Sequence, residues 1–145
     1  MHSPKDPNFE SRVRESFSRQ TLMQTIGARM TAVAPGEVEI TMPMQPGLSQ
    51  QDGFVHAGII TAIVDSACGY AALSLTPAGQ EVLTIEYKVN FLSPAAGEQF
   101  IARGRVTRAG KTITVCSGDV IAESGDQQKV IASMLTTMMT ISPIH

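Results

Sequence analysis

The sequence predicts an α+β fold in which a curved antiparallel β-sheet is wrapped around a long central helix. Three observations predict it. Residues 54–75, FVHAGIITAIVDSACGYAALSL, are the most apolar stretch of the chain, and a helix apolar all round must be buried. Four β-patterned segments follow, joined by short turns, and such strands pair antiparallel. A single flat sheet would leave the helix half exposed, so the sheet must curl around it. The 145 residues, 43% of them hydrophobic, suit one domain spanning 1–145 with a real core.

Each element can be justified in order. Phe9, Val13 and Phe17 recur every four residues, a helical stripe, with Pro7 as first helical residue and Asp6 as its cap. Residues 1–20 form this helical lead-in, and Leu22 and Met23 extend the apolar pattern to Gly27. ARMTAVA and VEITMPM flank the turn signal PGE and read as a hairpin. Met30, Ala32 and Ala34 share one face of it, and Val38, Ile40 and Met42 another. QPGLSQQDG, 45–53, is a loop; the central helix runs from about His56 to Leu75, and TPAGQ stops it. In EVLTIEYKVNFLSPA, Leu83, Ile85, Tyr87, Val89 and Phe91 alternate with Val82, Thr84, Glu86, Lys88 and Asn90, which assigns the first set to the core. EQFIARGRVTRAG is a strand ending in a turn at Ala109–Gly110. KTITVCSGDVIAES follows, with Ile113 and Val115 inward and Val120 and Ile121 as further inward candidates. After GDQQ, the strand KVIASMLTTMMTI buries Val130, Ala132 and Met134.

Composition removes several function classes. The net charge of −2, without a basic run, argues against a nucleic-acid groove. Two cysteines, Cys68 and Cys116, are too few for a disulfide framework, and no Cys/His cluster has metal-ligand spacing. The first twenty residues are polar and charged, unlike a secretory leader, so a cytoplasmic protein is expected. A membrane span over 57–75 would centre Asp65 in the bilayer at a cost of roughly 2.5–3.5 kcal/mol, and no Lys/Arg cluster flanks it.

Asp65 is the chemical anomaly. A carboxylate in an apolar helix has its pKa raised by desolvation, as active-site acids and bases do. Two readings stand: a general base or nucleophile, or a structural carboxylate paired to a backbone or hydroxyl group. The helix start is the second candidate. Unpaired N–H groups at Ala57 and Gly58 carry partial positive charge and suit a developing oxyanion, with ordinary small-residue packing as the alternative. Cys68 lies one turn after Asp65 without a cation or base nearby, and both cysteines read as core.

QQDGFVHAGIITAIVD, Gln50 to Asp65, resembles the motif N-x-x-G-x-x-H-G-G-x-x-x-x-L-x-D of the PaaI-like acyl-CoA thioesterases, which have the hotdog fold. Gly53, His56, Gly58 and Asp65 are in register; Gln50 replaces the Asn and Ala57 the first Gly of the pair. KVNFLSPA (88–95) and GRVTRAGKTITVCSGDV (104–120) are similar to the family's strand before a Pro turn and to its paired strands around a basic Gly turn. The resemblance spans about 20–141 and implies roles. Asp65 becomes general base or nucleophile on an aryl- or medium-chain acyl-CoA. The N–H of Ala57 or Gly58 receives the thioester oxygen, and His56 polarises the carbonyl or orients the loop. Gln50 bonds the carbonyl or His56, and Thr84 orients water. Arg108, Gly110 and Lys111, in a cluster with Arg103 and Arg105, hold the CoA phosphates. No cofactor or metal is implied. A hotdog enoyl-CoA hydratase or dehydratase and a non-catalytic acyl-CoA binder are the competing readings.

Spacing adds a prediction of its own. His56 and Asp65 are nine positions apart, about 13 Å along a helix and half a turn around it. They cannot meet at one reacting carbon within one chain. Two antiparallel helices from a C2 homodimer could bring them together, giving two equal composite sites. The resemblance implies the same dimer, and a tetramer built from it is a further expectation that the sequence leaves open.

Overall fold

In the computed structural model, which describes residues 1–143, the long apolar segment is a helix, α3 (Ala57–Leu73). Ile60, Ile63, Val64, Ala67, Cys68 and Ala71 are fully buried along it. Each buried Ile contributes roughly 1.5–3 kcal/mol relative to an exposed one. Before it come α1 (Phe9–Arg19), α2 (Thr21–Thr25), β1 (Arg29–Ala34), β2 (Glu37–Pro43) and a short 3₁₀ turn, Pro46–Leu48. After it come β3 (Glu81–Phe91), β4 (Gln99–Ala109), β5 (Ile113–Ser124) and β6 (Gln127–Ile141). The strands form one antiparallel sheet in the order β1-β2-β4-β5-β6-β3, wrapped around α3. This is the α+β hotdog fold that the sequence predicted. Among the described residues no helix is long and apolar enough to cross a membrane.

Two glycines set how closely helix and sheet approach. A Cβ on Gly104 of β4 would lie 2.4 Å from the backbone of Ala67 and Cys68. One on Gly118 of β5 would lie 2.7 Å from a methyl of Val64 and 2.9 Å from the Cys68 sulfur. Glycine in a strand interior marks such a close approach, and here it lets α3 rest directly on the sheet.

The N-terminal lead-in differs in detail from the sequence reading. The stripe divides at Gln20 into two helices, and Asn8, not Asp6, precedes the first. Asp6 is buried instead and accepts from the Asn8 N–H, with Arg12 Nε 3.1 Å from its other oxygen. Arg12 also donates to the carbonyls of Leu73, Thr76, Pro77 and Gln80, all at 3.1 Å or less. A guanidinium thus closes the C-terminal end of α3, whose last carbonyls have no intrahelical partner.

Four strand faces were misassigned, each where a period-2 reading meets a register shift or the sheet's exposed face. In β1 a bulge between Met30 and Ala32 turns Val33 toward the core, leaving Ala32 and Ala34 exposed; Val38, Ile40 and Met42 of β2 are buried as expected. In β5 the buried side chains are Thr114, Cys116, Val120, Ile121 and Ala122, so Val120 and Ile121 are buried as read, whereas Ile113 and Val115 face out. In β6 a shift opposite Val120 and Ile121 buries Ile131 together with Ala132 and Met134, and Val130 is exposed.

The β3 discrepancy matters most. Its register against β6 slips between Thr84 and Glu86, so the side-chain alternation reverses there. Thr84, Tyr87, Val89 and Phe91 pair with Met138, Thr136, Met134 and Ala132, the buried side of β6, and so share the helix-side face. Yet Tyr87 is 48% and Phe91 47% exposed. β3 is the sheet's edge: α3 reaches it at Thr84, which bonds Asp65, but Tyr87 and Phe91 are left open rather than forming core.

Candidate active site

The site follows from how α3 begins. His56 is its N-cap, with φ −57° and ψ 136°, and its Nδ1 accepts the Gly58 N–H at 2.8 Å. A ring nitrogen that accepts an N–H carries no proton, so the imidazole's own proton sits on Nε2, which faces solvent. A Cβ on Gly58 would lie 3.0 Å from His56 Nδ1, so glycine serves this cap. The Gly58 N–H is therefore already occupied. The N–H groups of Ile59 and Ile60 both donate to the His56 carbonyl. Of this first turn, the Ala57 N–H alone has no protein acceptor among the described residues.

Gln50 stands beside it. The Gln50 Oε1 accepts the N–H groups of Asp52 and Phe54 at 2.6 and 3.2 Å, and the Gln50 and Phe54 backbones are bonded at 2.8 Å. The amide oxygen folds the 50–54 loop, which leaves its NH₂ for a ligand. Gln50, Ala57, Ile60, Phe91 and Ser93 line one cavity of about 290 Å³. His56 bonds neither Gln50 nor Asp65.

Asp65 lies two and a half turns along α3. Thr84 Oγ1 donates to its Oδ1 at 2.8 Å, leaving Oδ2 free. Burial raises the carboxyl above its usual range; the Thr84 hydrogen bond opposes this and is the weaker effect. Thr84 was a sequence candidate, and the structure joins it to Asp65. The β3 slip falls immediately after Thr84, which keeps its side chain on the helix side. Asp65 and Thr84 line a second cavity, also about 290 Å³, with Ser16, Gln20, Ser66, Tyr70, Glu81 and Met138. No residue lines both cavities. As the nine-residue spacing predicted, one chain keeps the helix start and the carboxylate apart.

The second cavity holds what sequence reasoning missed. Gln20 Nε2 donates to Ser66 Oγ at 3.2 Å, Tyr70 donates to Gln20 Oε1 at 3.2 Å, and Ser16 donates to Tyr70 at 3.4 Å. Tyr70 also stacks edge-on against Phe17, ring centres 5.9 Å apart. Ser66 and Tyr70 follow Asp65 along α3, which was a signal. Nothing local in the sequence shows that Ser16 and Gln20 fold over them.

The basic turn is simpler than expected. Arg103 pairs with Glu39 at 3.0 Å and Arg105 with Asp119 at 3.4 Å. Arg108 and Lys111 are exposed, with no ion-pair partner among the described residues. The Gly110 N–H is bonded to the Ile113 carbonyl at 2.9 Å, and a Cβ there would lie 2.3 Å from that same oxygen. Gly110 is needed by the turn, and its N–H is not free for a phosphate. Cys68 and Cys116 are buried, and burial pushes the Cys116 thiol up to about 12 and that of Cys68 higher still. Neither is a nucleophile at neutral pH. Among the described residues no three His, Cys, Asp or Glu side chains gather as metal ligands would.

Architecture and comparisons together place the protein in the class of hotdog-fold hydrolases. A family model described as the Thioesterase superfamily matches residues 52–129, more than half of the chain, and the chain belongs to that superfamily. It is similar to a thioesterase family protein from Silicibacter pomeroyi, 46% identical with a TM-score of 0.91, covering 93% of this chain and 99% of the other. It is also similar to the medium/long-chain acyl-CoA thioesterase YigI of Escherichia coli, 28% identical over 67% of this chain and 68% of YigI. The PaaI protein of the E. coli phenylacetic acid degradation operon shares the fold, with a TM-score of 0.84 at 20% identity over 93% of this chain and 94% of PaaI.

Proposed function

We propose that this protein is an acyl-CoA thioesterase acting on an aryl- or medium-chain acyl-CoA, with active sites composed across a homodimer. One observation carries the reading. The carboxylate and the free helix N–H line two cavities at opposite ends of one unpaired edge strand. An antiparallel pairing of β3 with its own copy about a two-fold near Tyr87 would set Thr84 opposite Asn90 of the second copy. The Asp65 cavity of each chain would then adjoin the Ala57 cavity of the other. The same pairing would satisfy the 11-residue edge and cover Tyr87 and Phe91. Leu83, Ile113, Val115, Leu135 and Met139, exposed on the outer face, support a further association into a tetramer.

In the composite site the thioester oxygen lies on the Ala57 N–H, aided by the Gln50 amide. Asp65 takes a proton from a water through Oδ2 while Thr84 holds Oδ1. The water oxygen bonds to the thioester carbon, and the oxyanion grows on the Ala57 donor at the positive end of α3. Collapse breaks the carbon–sulfur bond; the thiolate takes the proton from Asp65, giving free acid and CoA. The nucleophilic route differs only in that Oδ2 itself attacks, forming a mixed anhydride that water then opens. Arg108 and Lys111 hold the CoA phosphates, and His56 fixes the loop that carries Gln50.

A panel of acyl-CoAs assayed for thiol release tests the activity. Thiol release from aryl or medium acyl-CoAs is expected. Hydration of an enoyl-CoA without released thiol would transfer the assignment to a hydratase, and binding without cleavage to an acyl-CoA binder.

A further inference from the structure

We infer that the Ser16–Tyr70–Gln20–Ser66 chain is a specificity device that selects an uncharged acyl group bearing a hydroxyl near its far end; this rests on the thioesterase reading. The polar chain has no catalytic part in that reaction, yet it lines the same cavity as Asp65. Its hydrogen bonds run one way, from Ser16 to Tyr70, to Gln20, to Ser66. They leave unused the Ser66 hydroxyl proton and the second Gln20 N–H. Ser66 is only 9% exposed and opens into this cavity, so a ligand that fills the cavity displaces the solvent its proton would otherwise meet. An acyl chain without a polar group would leave these donors buried and unpaired, a cost a hydroxyl would remove.

Position and charge define the ligand further. Tyr70 is five residues beyond Asp65, about 7.5 Å along the helix axis. The network runs from Ser66, beside Asp65, to Tyr70, and a chain entering at Asp65 spans it within about its first six carbons. The carboxylates of Asp65 and Glu81 line the cavity and no Lys or Arg does. An acyl group ending in a carboxylate would meet like charge without a counter-ion. The network is also held in place: α1 brings Ser16, Phe17 packs on Tyr70, and Gln20 is the junction between α1 and α2. The lead-in helix is thereby a wall of the acyl pocket.

The test uses three CoA esters that differ only at carbon six: hexanoyl, 6-hydroxyhexanoyl and adipoyl. Affinities are measured calorimetrically on the full-length Asp65→Asn variant, so that binding is read without turnover, and kcat/KM is measured on the wild-type protein. The hydroxylated ester is expected to bind about 10-fold tighter than hexanoyl-CoA, the gain from one good hydrogen bond, with adipoyl-CoA weakest. Gln20→Leu and, separately, Ser66→Ala should bring the hydroxyl-to-methyl ratio to near one. Equal affinities for the three esters would overturn the inference. So would an equal loss for all three in the variants, which would assign the network to the pantetheine arm or to the scaffold. If the binding order holds while wild-type protein releases no thiol, the hydrolysis reading fails and the specificity device stands.

Discussion

Replacing Gly104 by alanine tests the link between fold and site. The added Cβ would lie 2.4 Å from the Ala67 carbonyl carbon and the Cys68 nitrogen, and 2.6 Å from the Ala67 oxygen. These are backbone atoms inside a helix and have no rotamer into which to retreat. Ordinary contact begins near 3.4 Å, so α3 must lift by about 1 Å, a shift that packed interiors resist. Overpacking costs about 1–3 kcal/mol, and an unyielding backbone places this case at the upper end. Three kcal/mol in a domain of this size lowers Tm by about 6–12 °C. Asp65 lies two residues before Ala67 and moves with it, lengthening the 2.8 Å bond to Thr84. A misplacement of about 1 Å can cost 100-fold in rate. The assay is calorimetric melting together with thiol release. A Tm within about 2 °C of wild type, with kcat retained, would refute the claim that this glycine sets the helix–sheet distance.

Other predictions follow from the same geometry. Asp65→Asn should lower kcat by at least about 100-fold while acyl-CoA still binds. Because burial raises the folded-state pKa of Asp65, its linked stability is fully present below the unfolded value of about 3.9 and is lost as pH rises through the folded value. The Tm difference between Asp65→Asn and wild type should therefore grow in the variant's favour with rising pH, and a difference independent of pH would count against a desolvated carboxyl. Thr84→Val removes the bond that opposes this rise, so the acid limb of the pH–rate profile should move upward, with Thr84→Ser restoring it. Arg12→Ala removes one donor from each of four carbonyls and the cation beside Asp6, and should cost about 3 kcal/mol by denaturant titration. A loss under about 0.5 kcal/mol would mean that solvent serves those carbonyls equally well.

Much of the fold was legible because it rests on periodicity. The apolar run of α3 and the alternation of the strands are local signals, and they forced a sheet curled around a helix. The strand faces were less legible. A bulge costs one residue and reverses every side chain beyond it, and nothing in VLTIEYKVNF marks Ile85 as that residue. Sequence reading therefore put Leu83 and Ile85 in the core with Tyr87, Val89 and Phe91, whereas both are 52% exposed and Val82 and Thr84 take the helix side before the slip. GRV and SGDV did carry a signal, since glycine in a strand interior often marks close backbone approach. At the site, the Asp65 anomaly and its distance from His56 could be read directly. That Gly58 is spent on the His56 cap, and Gly110 on its own turn, could not, because both depend on where a hydrogen bond goes. Nor could the polar chain under α1, whose members are about 46 to 54 residues apart in sequence.

The central claim is that each site takes its carboxylate from one chain and its helix N–H from the other. Ala57→Pro deletes that N–H at the first helical position, where proline is tolerated, and the extended His56 backbone at ψ 136° suits a following proline. Ala57→Pro and Asp65→Asn should each abolish most activity alone. Co-expressed in equal amounts, they should form heterodimers in half of the population, each with one intact and one doubly damaged site. The account predicts recovery to about a quarter of wild-type activity per chain. Activity that stays at the average of the two variants would place both groups in one chain's site and contradict it.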